Sequence, residues 1–541
     1  MANNIGWGSI YAVTNWGKGV VNSISWGKVY SNLVGSLPSF ALNFNTIADD
    51  FTFTRNSFAT RVNEDGLIET VTNLGSELVT NGDFEDGSTG WVIEAVWTIQ
   101  DGYASGNGAN GASQELTQSN VTTIGKTYKV TYDISNYVSG DVVVGSGDLQ
   151  SGNGTVTEYW EAVQPTLKIR GNNFFNGDID NISVKEVIEE DVPRIDYSTG
   201  EAAFLLEPAS TNLVTYSEDF SQWNNINASS SVSVSEKSPL NTYATILIEN
   251  AVDSYHNKNI GITTTSNATF SVLAKKIDRD YLLLITQDDI DFAAWFDLSD
   301  GSTTQVTGNW SNPKIQDMGN GWYLCSANYN GTSGGVFYLG ASDSLSNTGY
   351  QGVLDKQALY LGYAQVEELS YATSYIPTSG STATRAAETC VDATPTINSE
   401  EGVLYAEIST LSETGDNAQF LGVYESSYTQ NSVYIQVRAS SNDYAVWAYS
   451  NGVNELAELF SVNNIMDLNK IAIRWSENDF NVFVNGVSVY SNLTYNPPVS
   501  GSLTGLSFGR NSSQYFFGNT KDLRIYAEAL TDEELTELTT I

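Results

Sequence analysis

A single histidine, two cysteines and the lack of any long apolar run set the first limits on this sequence. His256 sits in the polar stretch Asp253-Ser254-Tyr255-His256-Asn257-Lys258, away from any nucleophile motif, and a Ser-His-Asp triad would have to use it. No Gly-x-Ser-x-Gly elbow, Walker loop, Cys-x-x-Cys or His-Glu-x-x-His is present, which sets aside zinc and phosphoryl chemistry. Cys325 and Cys390 are too few for a disulfide framework; a bridge between them is possible, and two free thiols are favoured. No stretch approaches the ~18 apolar residues of a membrane span. Residues 1–20 also lack a basic region followed by an apolar one, so the sequence predicts a chain made without Sec export and not inserted in a membrane.

Positive charge is also scarce. With 24 Lys and Arg against 63 Asp and Glu, the formal net charge is −39, which repels nucleic-acid backbones and anionic membrane surfaces. Nucleic acid is therefore not an expected partner. The acids are spread along the chain and read as a solubility device. Hydrophobic residues at 41% and aromatics at 12% are ample for packed cores. A chain of 541 residues exceeds what one core supports, about 250 to 300 residues, so three or four domains are expected.

Residues 1–48 carry no Asp, Glu or Arg and only Lys18 and Lys28. Within them Asn3-Asn4-Ile5-Gly6-Trp7-Gly8-Ser9-Ile10-Tyr11 repeats as Asn22-Ser23-Ile24-Ser25-Trp26-Gly27-Lys28-Val29-Tyr30, with Trp16-Gly17 between. Repeats this short bury no core alone and do so by stacking or by joining other chains. Residues 1–75 are read as an attachment and oligomerisation segment working through Trp7, Tyr11, Trp16, Trp26 and Tyr30.

From about residue 76 short alternating runs separated by Gly, Asn, Asp and Ser predict half-buried antiparallel strands. Lys126–Tyr132 and Asp180–Val187 are the cleanest. The fold class is all-β, built as tandem β-sandwiches: modules at 76–188, 189–392 and 393–541. Leu78-Val79-Thr80 leads to Phe84 and Trp91 as Leu213-Val214-Thr215 leads to Phe220 and Trp223, so the first two modules open alike. Pro193, Pro377 and Pro395 lie near the boundaries. One helix is predicted, at the C-terminus, where Thr531-Asp532-Glu533-Glu534 is a capping box and Leu535 and Leu538 give a small apolar face.

Three resemblances follow from particular motifs. Glu77–Glu85 with Gly90-Trp91 and Ile179–Val184 resembles the jelly-roll carbohydrate-binding modules of the galactose-binding-like group, which implies a possible structural calcium held by Glu85 and Asp180. Glu207–Phe220, Gly321-Trp322-Tyr323 and Thr373–Ala387 look like a segment recurrent in structural and fibre proteins of tailed bacteriophages, which implies a virion component. Gly402–Ile408, Lys470–Trp475, Asn481–Gly486 and Gly518–Tyr526 resemble the concanavalin A-like, laminin-G-type lectin fold. That fold alone does not establish sugar binding.

A Trp or Tyr face stacks on a pyranose while nearby amides and acids bond its hydroxyls. The candidates for such platforms are Trp97, Tyr103 and Trp160 in the first module and Tyr449 and Tyr515 in the last; Trp91, Trp223 and Trp475 are assigned to core. A glycosidase needs only two carboxylates, yet no Glu-x-Asp-x-Glu run occurs in 398–541, and Asp288-Asp289-Ile290-Asp291 reads as a turn. The sequence thus predicts a non-enzymatic virion surface protein, a head or tail fibre with no required cofactor. It would be anchored through its N-terminus to other virion proteins, homo-oligomeric with a trimer favoured, and adhesive toward glycans. The alternatives are a tail glycan depolymerase and a bacterial cell-surface adhesin.

Overall fold

The computed structural model describes residues 37–541, apart from 95, 108–114, 290–291, 303, 332–334, 413–418, 426–427, 439–440 and 511–513. The Trp-Gly repeat, with Trp7, Tyr11, Trp16, Trp26 and Tyr30, lies outside the described residues. The chain forms two compact units, one of Thr72–Val192 and one in which residues 37–71 join Pro193–Ile541.

In the smaller unit two long strands, Thr127–Val144 and Leu167–Ile188, pair antiparallel along most of their length. Register shifts between Thr131 and Asp133 and on either side of Ser139 interrupt the ladder. Such irregularities bend strands and add twist, which lets one strand serve both layers of a sandwich. Tyr128, Val130, Tyr132 and Ile134 alternate into the core, as their spacing predicts, against Ile182 and Val184.

The larger unit contains two sandwiches. The first stacks two six-stranded sheets around Phe270, Leu284, Trp310 and Phe337. The second sets an eight-stranded sheet against a five-stranded one, with Trp475, Phe480 and Ile435 among the buried side chains between them. The Val484–Val487 hairpin turns through Asn485 (φ 49°) and Gly486 (φ 82°), the left-handed pair that a two-residue turn requires. The C-terminal helix Asp532–Thr539 starts with the expected reciprocal Thr531–Glu534 cap and buries Leu535 and Leu538.

The module boundaries are less simple than the sequence suggests. Arg194–Asp196 and Ala203–Leu206, expected in the middle module, extend the eight-stranded sheet, Ala203–Leu206 pairing with Gly518–Tyr526. Phe40–Ala41 pairs with the same strand, and Thr52–Thr54 pairs with Thr389–Val391. Residues 37–71, expected to be part of a separate attachment segment, therefore pack into the larger unit. Ile47, Phe51, Phe53, Phe204 and Leu206 all enter the core between the eight- and five-stranded sheets. The physical reason is that without Arg194–Asp196, Ala203–Leu206 and Phe40–Ala41 the sheet would end at Gly518–Tyr526, leaving a long unpaired edge and an open flank of core.

The matching module openings prove to be the same local device. Trp91 and Trp223 each donate the indole N–H, at 2.9 Å, to the carbonyl of the residue after Leu-Val-Thr, Asn81 and Tyr216 respectively. Each indole also packs on the expected phenylalanine, Phe84 at 5.3 Å and Phe220 at 5.2 Å between ring centroids.

Candidate functional site

Two of the aromatic candidates in the smaller unit are not platforms. Trp97 is 4% exposed and packs on Phe175, and Trp160 is 8% exposed and packs on Tyr128. Both face the sandwich interior, because the strand alternation that exposes Tyr159 turns Trp160 inward. Tyr103 is half-buried at the start of Tyr103–Asn107. Glu85 lies against Gly102, while the carboxyl of Asp180 faces Asp133 and Asp83. Burial first, then those two like charges, raise Asp180 above the usual aspartate range. Among the described residues no group of three or more His, Cys, Asp or Glu side chains is arranged to hold a metal ion.

His256 is structural. Its ring nitrogens face the carbonyls of Asn227 (2.8 Å), Val252 (3.1 Å) and Tyr350 (3.2 Å), with no hydroxyl nucleophile among those partners. Asp288 and Asp289 lie in the single turn Gln287–Asp289. Cys325 and Cys390 are free and buried.

Of the two remaining candidates, Tyr449 lies on the outward face of the five-stranded sheet, and Tyr515 lies on a short strand paired with Gly509–Arg510, its ring against Gly509. In Ser432–Arg438 and Asp443–Ser450 the residues Val433, Ile435, Val446 and Ala448 point into the core. The alternate set, Tyr434, Gln436, Trp447 and Tyr449, points outward. Register places Trp447 opposite Tyr434 and Tyr449 opposite Ser432. Trp447 lies nearly parallel to Tyr434, with ring planes 13° apart, and donates its indole N–H to the Gln436 side chain at 2.7 Å. Trp447, Tyr449 and Gln436 are half-buried, so each keeps part of its side chain open to solvent.

Beneath and beside them the face is braced. Gly422 leaves room that Tyr434 fills, since a Cβ there would overlap the Tyr434 side chain. Tyr424 and Tyr428 stack at 4.3 Å, and Tyr428 donates its hydroxyl to Gly509. That bond ties the loop before Ser432 to Gly509–Arg510, which pairs with Gln514–Tyr515. Arg510 crosses over Phe420 and Tyr434, at 5.2 and 5.1 Å from the ring centres, and donates to the Tyr434 hydroxyl at 2.8 Å. Burial pushes the Tyr434 phenol up against the pull of Arg510, which keeps it a neutral hydrogen-bonding group. The surface sets one indole beside an amide, phenols and a guanidinium. Trp447, Gln436, Tyr434 and Arg510 are not found by sequence reasoning, although the period-2 pattern of Tyr444–Ser450 already puts Trp447 and Tyr449 on one face.

The densest set of charges has a different role. Arg194 donates through Nε to Glu388 at 2.8 Å and pairs through Nη1 with Glu207 at 2.8 Å. Arg55 pairs with Glu388 at 2.8 Å, and Arg385 with Glu207 at 2.9 Å. All five side chains are at most 3% exposed. Burial would raise the Glu207 carboxyl, but Arg385 and Arg194, with Ser374, hold it down at about 2. Glu367 nearby is raised by burial, opposed by bonds from Ser210 and Thr373. Glu207, Ser210, Thr373, Ser374 and Arg385 belong to the segments Glu207–Phe220 and Thr373–Ala387. Their polar residues form a buried lock joining the N-terminal strands, the middle sandwich and the eight-stranded sheet.

Residues 396–536 match the family described as the Concanavalin A-like lectin/glucanases superfamily. No curated protein matches the chain. Among solved structures, the chain is similar to the Ruminococcus gnavus IT-sialidase CBM40 bound to alpha2,3 sialyllactose, at 15% identity over 26% of this chain and 83% of that one, with a TM-score of 0.22. It is similar to the CBM22-1-CBM22-2 tandem domain of Paenibacillus barcinonensis Xyn10C at 13% identity, over 54% of this chain and 98% of that one, with a TM-score of 0.22. Domains LG4-5 of the mouse laminin alpha1 chain match at 11% identity, over 60% of this chain and 92% of that one, with a TM-score of 0.19.

Proposed function

We propose that this protein binds glycans and that the outward face of the five-stranded sheet is the seat. The observation that carries the reading is the set Trp447, Tyr449 and Gln436: a half-buried indole fixed by its own hydrogen bond, beside an amide and a phenol on the same face. A sugar ring offers an apolar face to such an indole and hydroxyls to its neighbours. The family description matched by residues 396–536, which names lectins, agrees with this.

The finer reading is a virion surface appendage, a head or tail fibre attached through its N-terminus to other virion proteins and homo-oligomeric. Its support is in the sequence: the Trp-Gly repeat and the segments Glu207–Phe220 and Thr373–Ala387.

The test is a glycan array probed with the full chain and with Trp447→Ala. Loss of an indole at the centre of a contact costs on the order of 2 kcal/mol, or about 30-fold in affinity. Retained binding by the variant would move the site elsewhere. Release of oligosaccharide from a bound glycan would favour the depolymerase.

A further inference from the structure

We propose that the glycan seated on this face carries an isolated carboxylate, a uronate or similar acidic unit in an otherwise neutral chain, and that Arg510 selects it; this rests on the glycan reading of the same face. Arginine in this protein is usually answered by an acid. Arg61 pairs with Glu69, Arg279 with Glu249, Arg474 with Asp479 and Arg524 with Asp522, besides the three in the buried lock. Arg510 makes no ion pair among the described residues.

Its guanidinium is nonetheless held in place. Two aromatic rings lie against it, Nη1 is committed to Tyr434, and Nε is enclosed with no hydrogen-bond partner among the described residues. Charge-assisted hydrogen bonds are roughly twice as strong as neutral ones. A guanidinium has five N–H donors, and among the described residues only Nη1 is bonded to protein, at Tyr434. A sugar hydroxyl would meet that positive charge with a dipole, whereas a carboxylate meets it with an opposite charge and two acceptor oxygens.

The surrounding charges set the limit on how acidic the ligand is. Arg438, on the same outward set of its strand, also makes no ion pair among the described residues, and Asp443 opposite it accepts from Ser461. The whole chain carries −39, so a densely charged polyanion is repelled before contact. At ordinary salt that field is screened beyond about 10 Å, while a carboxylate touching Arg510 keeps its attraction. One acid per binding unit satisfies both conditions.

The experiment uses the full chain and pairs of oligosaccharides with one uronate each, as the free acid and as its carboxyl methyl ester, displayed beside neutral glycans and followed by titration calorimetry. The expected result is at least tenfold tighter binding of the acid than of its ester. Arg510→Gln should erase that difference, Arg510→Lys should restore part of it, and Trp447→Ala should weaken acid and ester alike. Because Arg510→Gln loses ring contacts and could unfold the face, the comparison of acid with ester on the unmodified protein decides by itself. Equal binding of acid and ester, or Trp447-dependent binding of neutral glycans alone, overturns the acidic ligand and leaves the platform standing. Binding of no glycan at all overturns both.

Discussion

Trp447 reaches back along its strand pair to give its indole proton to Gln436 at 2.7 Å, and in doing so lies parallel to Tyr434 beneath it. A flat, fixed aromatic surface on a sheet face loses little conformational freedom when a ligand settles on it, which is the property a weak sugar contact most needs.

Gln436→Ala removes that acceptor. The expected cost is about 1 kcal/mol in stability, together with a severalfold loss of glycan affinity, because the indole is no longer pinned. Thermal unfolding and titration calorimetry on the same preparation check both. A full loss of stability would mean that Gln436 holds the sheet rather than the ring.

Glu388→Ala leaves Arg55 and Arg194 without their shared carboxylate in a fully buried setting. Breaking one partner of a buried pair costs about 3 to 5 kcal/mol. Calorimetry should show the transition of the larger unit falling while that of Thr72–Val192, which contains none of these residues, stays in place.

Glu207 gives the lock a pH dependence of known sign. Its folded carboxyl lies at about 2 and its ordinary value is 4.5, so below pH 4.5 the unfolded chain takes up a proton that the folded chain refuses. The stability from this carboxylate is therefore complete above pH 4.5 and is lost as pH falls toward 2. Comparing wild type with Glu207→Gln, the advantage should be on the order of 3 kcal/mol at pH 6 and should shrink steadily below pH 4.5. A constant difference across that window would contradict ionised Glu207 in the core.

Thr531→Ala removes one half of the reciprocal cap on the last helix. The expected loss is about 1 kcal/mol, seen as earlier exchange of amides in Asp532–Thr539.

Much of the fold was legible because it rests on periodicity. Alternation located Tyr128, Val130 and Tyr132 in a core, the Leu-Val-Thr repeats located two equivalent indole anchors, and the Thr531–Glu534 spacing located the helix start. The strands that cross module boundaries were not legible, since Arg194–Asp196, Ala203–Leu206 and Phe40–Ala41 are too short to show a period, and the last two pair with Gly518–Tyr526, hundreds of residues away. The site was legible only in part. Tyr449 lies on that face and Tyr515 on the short strand paired with Gly509–Arg510, while Arg510 and Gln436 reach it through cross-strand register and a hairpin that no local pattern encodes. Trp97 and Trp160 failed as platforms for a related reason: on a half-buried strand, one residue of offset decides between solvent and core.

Hydrogen–deuterium exchange of the full chain, with and without a glycan identified on the array, tests the central claim most directly. Protection confined to peptides covering Ser432–Ser450 and Gly505–Phe516 is the expected result. Protection confined to Thr72–Val192, with the five-stranded sheet unchanged, would contradict a binding seat at Trp447.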